Sequence, residues 1–128
     1  MSELTEKNKT VVRGWNDLAF VQHQPEAAVA KYLGSYYRQH NPGAADGPEA
    51  FIAFMHYFTG AFPNFRLDVK RVVAEGDLVV MHSHLVREPG DRGVAVVDIF
   101  RLEDGKIVEH WDVSQEVPEK ATNNNTMF

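Results

Sequence analysis

The stretch that most limits what this chain can become is Gly93 to Glu116, GVAVVDIFRLEDGKIVEHWDVSQE. Two alternating runs meet at Glu103-Asp104-Gly105-Lys106. Asp-Gly between such runs marks a tight hairpin, because the turn needs positive φ. Side chains alternate faces with period two along a strand. Val94, Val96, Asp98, Phe100 and Leu102 therefore share one face of the first strand. Val108, His110, Asp112 and Ser114 share a face of the second. Asp98 thus stands among apolar neighbours, and His110 and Asp112 lie two apart on one side. Carboxylates in a greasy sheet are where function is expected.

The remaining pattern sets the fold class. Residues 2–22 read as a helix with Leu4, Val11, Trp15, Leu18 and Ala19 near helical spacing, and Ser2 or Thr5 suits its cap. Pro25 opens a short second helix that Gly34 should end. Residues 35–40 read as a short extended or irregular segment. Gly47-Pro48-Glu49 opens a third helix to about Gly60, whose stripe Phe51, Phe54, Met55 and Phe58 reads as plain core. From Pro63 the period becomes two, with turns at Glu75-Gly76-Asp77 and Pro89 to Gly93. Helices followed by four successive strands predict an α+β fold with an antiparallel sheet. One domain over residues 1–117 is expected, with a tail at 118–128. The asparagine run in that tail reads as mobile, while its closing Met-Phe suggests docking on the domain or a partner subunit.

Charge and cysteine content exclude several functions. There are 13 Lys and Arg against 18 Asp and Glu, with no basic cluster, which argues against nucleic acid. No cysteine is present, so there is no disulfide, thiolate nucleophile or cysteine-held metal. No stretch has the length of a membrane span, residues 1–20 do not resemble a signal peptide, and a cytoplasmic protein is expected.

The candidate chemistry lies on the strands. His82 and His84 share a face with Leu78 and Val80. If that face turns inward, His82, His84, Asp98, His110 and Asp112 would look into one concavity with His40 at its mouth. Asp98 would then take His82 or His84 as partner, since an unpaired buried charge is costly. Ionisable groups crowded in an apolar cavity shift one another's pKa values, which tunes acids and bases. His82-x-His84 with His110 and a carboxylate would also suit a metal, but no spacing is diagnostic and no metal is assigned. Neither Ser83 nor Ser114 sits in a nucleophile elbow, and no glycine-rich phosphate loop occurs.

The element order, YYRQHNP near residue 40 and VVDIFRLEDGKIVEHWDVSQ near the end resemble the SnoaL-like polyketide cyclase group of the nuclear transport factor 2-like superfamily. The likeness covers nearly the whole chain. It implies a cone-shaped roll, a curved antiparallel sheet with N-terminal helices enclosing a pocket, and a homodimer through the sheet. In the group's cyclases a late aspartate acts as general acid and base in an aldol condensation, and Asp112 matches it. Its partner on the preceding strand is often a histidine, where this chain has Asp98. The superfamily also holds isomerases, hydrolases, dehydratases and non-catalytic binders, so fold alone does not choose among them.

The first functional expectation is a cofactor-free enzyme acting on a small, mostly apolar carbonyl compound. Asp112 would be the base, with Asp98 and His110 as further catalytic groups. His40, His82, His84, Trp15, Phe54 and Phe100 would contact the substrate. The alternative is a binding module for a small ligand or a protein partner.

Overall fold

The computed structural model describes residues 2–128. The chain runs α1 (Glu3–Asn16), a π-helical turn (Asp17–Val21), α2 (Pro25–Tyr32), β1 (Leu33–Gln39), α3 (Pro48–Ala61), β2 (Arg66–Glu75), β3 (Leu78–Val86), β4 (Val94–Glu103) and β5 (Lys106–Glu116). The sheet has the order β1-β5-β4-β3-β2 and curves without closing. Among the described residues no helix is long and apolar enough to cross a membrane.

Ser2 caps α1 by accepting the Thr5 backbone N–H at 3.1 Å, and Glu3 and Glu6 favour the positive helix end. The predicted 2–22 helix ends as an α-helix at Asn16, then widens into a π turn closed by Gln22 N–H donating to the Asp17 carbonyl at 2.8 Å. Its buried face also differs from the apolar stripe. Thr5, Asn8, Val12, Trp15 and Asn16 turn inward, while Leu4 is exposed. Val12, Trp15 and Ala19 join Met81, Phe100 and Ile107 in the core between helix and sheet.

The second helix stops at Tyr32, before Gly34. Leu33 already lies in β1, and Gly34 fits because a Cβ there would run into the Val108 side chain. Leu33–Gln39 is a fifth strand. It pairs parallel with β5, Gln39 opposite His110. The four later strands are antiparallel as expected. At the hairpin tip both Asp104 (φ 49°) and Gly105 (φ 77°) are left-handed, the geometry of a two-residue hairpin turn. Gly93 (φ 77°) is another obligatory glycine, since a side chain there would strike the Leu85 carbonyl.

The register decides which residues share a face. Met81 pairs with Asp98 and Asp98 with Asp112, so these three point to one side of the sheet. His82 pairs with Val97 and Val97 with Val113, placing them on the other. The inward expectation for His82 and His84 is therefore corrected. Both lie on the outer face, where Phe128 stacks against His84 at 4.2 Å and His82 at 5.8 Å between ring centres. Arg71 donates to the Phe128 carbonyl at 2.8 Å and also bonds His82. The Lys70 ammonium sits 5.6 Å over the Phe128 ring.

The end of the tail is thus held on the domain. One partly covered aromatic contact is worth about 1 kcal/mol, which moves the melting temperature of a domain this size by roughly 4 °C. Ending the chain at Val117 is expected to lower Tm by about that amount in calorimetry; an unchanged Tm would mean that the stack contributes nothing.

Candidate functional site

The concave side of the sheet, α1 and α3 enclose a cavity of about 430 Å³. Its walls are mostly apolar. Trp15 of α1, Phe51, Phe54 and Phe58 of α3, and Met81 and Phe100 of the sheet all line it. The aromatic stripe of α3 is therefore cavity wall more than plain core. Only Met55 of that helix is fully buried, and Phe54, which lines the cavity, remains 45% exposed.

Polar groups converge on one side of this wall. Asp98 of β4 is 7% exposed and His110 of β5 is 8% exposed. His110 Nε2 lies 2.8 Å from Asp98 Oδ1, and its Nδ1 lies 2.8 Å from Gln39 Oε1. Gln39 reaches the site because β1 runs alongside β5. Its Oε1 also accepts the Asn41 backbone N–H at 3.1 Å, while its Nε2 donates to the Tyr37 hydroxyl at 3.5 Å. Asp112 lies directly across from Asp98 and is half-buried. The Asn41 side-chain amide donates to both Asp112 oxygens, at 2.9 and 3.1 Å. The Gly43 N–H donates to Asn41 Oδ1 at 2.8 Å and fixes that amide's orientation.

The two carboxylates have unlike surroundings. Burial pushes the Asp98 carboxyl above its usual range, the His110 hydrogen bond and charge partly oppose this, and neighbouring Asp112 pushes it further up. Burial, and then the Asp98 charge, also hold the Tyr37 phenol above its usual value, so it stays a neutral hydroxyl. Asp98, His110 and Asp112 each bring a ligand-type atom within 4.8 Å of the others, an N/O set that suits a divalent ion. Both ring nitrogens of His110 are already committed, however, and a metal there would have to displace Asp98 or Gln39.

Of the residues singled out in the sequence, Asp98, His110, Asp112, Trp15, Phe54 and Phe100 meet at this cavity. His82 and His84 are across the sheet, and the partner of Asp98 is His110. His40 also turns away. Its Nε2 bonds Glu109 Oε2 at 2.6 Å, and its ring stacks on Trp111 at 4.7 Å. Arg101 donates to the other Glu109 oxygen at 2.7 Å. His40 and then Arg101 hold the Glu109 carboxyl below its usual range, which makes this a structural ion cluster on the outer face. Sequence reasoning missed Tyr37, Gln39 and Asn41. The signal was available: in an extended segment these three share a face, and His40 between them points the other way.

A model of the SnoaL-like domain matches residues 12–110. Among solved structures, a proposed polyketide cyclase from Acidithiobacillus ferrooxidans is 20% identical, with TM-score 0.72 over 89% of this chain and 91% of that one. A proposed SnoaL-like polyketide cyclase from Jannaschia sp. is 23% identical, with TM-score 0.73 over 89% of each chain. A proposed ketosteroid isomerase from Kribbella flavida is 21% identical, with TM-score 0.74 over 93% of this chain and 85% of that one. At these identities the likeness is one of fold. Among curated protein sequences none matches this chain.

Proposed function

The chain belongs to the SnoaL-like domain family, and from that premise we propose that it is a cofactor-free enzyme of aldol-type cyclisation or isomerisation, acting on a small, mostly apolar carbonyl compound. The observation that carries this reading is the pair Asp98 and Asp112, side by side on one cavity wall in contrasting environments. Two titratable groups whose surroundings differ in this way supply an acid and a base at one pH. Asp112, half-open to the cavity, removes a proton α to the carbonyl. The Asp98–His110 pair donates to the oxygen on which negative charge develops, in a water-poor site where such a donor is most effective. Returning the proton at another carbon gives isomerisation. Attack of the enolate carbon on a second carbonyl of the same molecule gives ring closure.

Trp15, Phe54 and Phe100 shape the apolar wall that orients the substrate. The working unit is residues 1–117, with 118–128 as an appended tail, in a cytoplasmic protein. Exposed Val97 and Val113 on the outer face of β4 and β5 support a homodimer formed through the sheet.

The reading is tested by equilibrium binding of planar phenols against alicyclic alcohols of similar size. A phenol mimics the enol, so it is expected to bind about tenfold tighter, a difference of ~1.4 kcal/mol. Equal affinities would show that no donor in the cavity is aimed at an enolate oxygen.

A further inference from the structure

We infer that Gln39 and Asn41 fix where the protons of this site reside, so that His110 acts through Asp98 and the Asp98 carboxyl is the group that meets the substrate. Four hydrogen bonds carry the argument. The atom of Gln39 facing His110 also receives the Asn41 backbone N–H, which only a carbonyl oxygen accepts. Turning the amide over would set an NH2 group against that N–H, and the Tyr37 hydroxyl already takes the existing NH2 group. Gln39 therefore offers His110 an acceptor, and Nδ1 of the ring must carry a proton.

With Nδ1 protonated, the neutral ring has a bare Nε2. Its 2.8 Å bond to Asp98 Oδ1 then holds one shared proton, either on the carboxyl or on the imidazole. In neither form has the ring a free nitrogen for a substrate. Asp98 does have a free atom: Oδ2 takes no hydrogen bond from any described residue, and the side chain lines the cavity. When the pair takes up a second proton, Nε2–H donates to Oδ1 and Oδ2 carries the acid proton, which is the one given to the developing enolate oxygen. Asp112 completes the arrangement, its two oxygens held by the Asn41 amide, whose orientation the Gly43 N–H fixes. The end of β1 and the loop after it thus position both carboxylates from one side. Gln39 and Asn41 are positioning residues, and so is His110.

The claim about protons stands on hydrogen-bond geometry alone; the claim about substrate contact rests on the proposed acid–base reading. The test keeps them apart. The full chain, labelled with 15N at its histidine rings, is observed by NMR at neutral pH without any substrate. His110 is expected to show a protonated Nδ1, and Gln39→Glu, whose carboxylate also only accepts, to keep that signature. Gln39→Leu is expected to lose it, with a bare-Nδ1 form appearing. A wild-type spectrum with bare Nδ1 and protonated Nε2 would overturn the inference, even if the Leu variant does not fold. Persistence of the wild-type signature in folded Gln39→Leu would likewise remove Gln39 from the role. For whichever carbonyl substrate the protein turns over, Gln39→Leu should lower kcat by ~10-fold and leave KM nearly unchanged, the lower end of what losing an orienting bond behind a functional histidine does.

Discussion

Asp112→Asn is expected to lower turnover by about 10³-fold, the scale of a lost general base, while the folded state persists. The variant removes the carboxylate's basicity and little else. Asp112 is half-buried, its hydrogen bonds come from the Asn41 amide, and the asparagine carbonyl can still accept one of them. Its neighbours on the same face, Asp98 and Ser114, keep their backbone pairing to β4 or β5. Binding of a neutral ligand should change little, because Trp15, Phe54 and Phe100 supply the apolar contact. A fall in kcat with KM nearly constant is the signature of a group needed only in the transition state. Full activity in the variant would remove Asp112 from the chemistry.

The second large effect concerns stability. His110→Leu leaves Asp98 buried without its partner and strips the Gln39 carbonyl of a donor. Breaking a buried pair from one side costs about 3 kcal/mol, or roughly 10 °C in Tm at this size. Adding Asp98→Leu should recover most of that loss, since an apolar pair needs no partner.

The pH dependence follows from the sign of the Asp98 shift. Burial, its largest cause, raises the carboxyl above its unfolded value, so the folded state binds that proton more tightly than the unfolded chain. The contribution is complete below the unfolded pKa near ~4 and is lost as pH rises through the higher folded value. Urea midpoints of wild type relative to Asp98→Asn should therefore shift in favour of the variant as pH rises above about 4. The drift should be larger in His110→Leu, where no histidine opposes the effect of burial. A midpoint difference independent of pH would contradict the assigned shift.

Much of the frame was legible because its signals are local. The closing hairpin announced itself through Asp104-Gly105 and strict alternation in β4, whose Asp98 and Phe100 face the cavity as read. β3 offered no such phase. Both of its faces are covered, the inner by core and the outer partly by Phe128, so LVVMHSHLV is apolar at both parities and the wrong parity was taken. Only the pairing of Met81 with Asp98 reveals that His82 and His84 point outward. β1 was nearly invisible for a different reason. A short strand pairing parallel with the far end of the chain carries no turn signal, and its partner is some 70 residues away. Gln39 and Asn41 were passed over with it, because amides announce no chemistry until their partners are known.

Proton abstraction by Asp112 is read out by exchange of α-hydrogens with solvent. A panel of small apolar ketones is incubated in D2O with the protein, and deuterium at the α carbon is followed by NMR. Exchange above the uncatalysed rate is expected for at least one ketone, abolished by Asp112→Asn and retained by a variant of the outer face such as His84→Gln. Ketones that bind in the cavity yet exchange no faster than in buffer would contradict it, and would leave the fold as a binding module with two carboxylates in its wall.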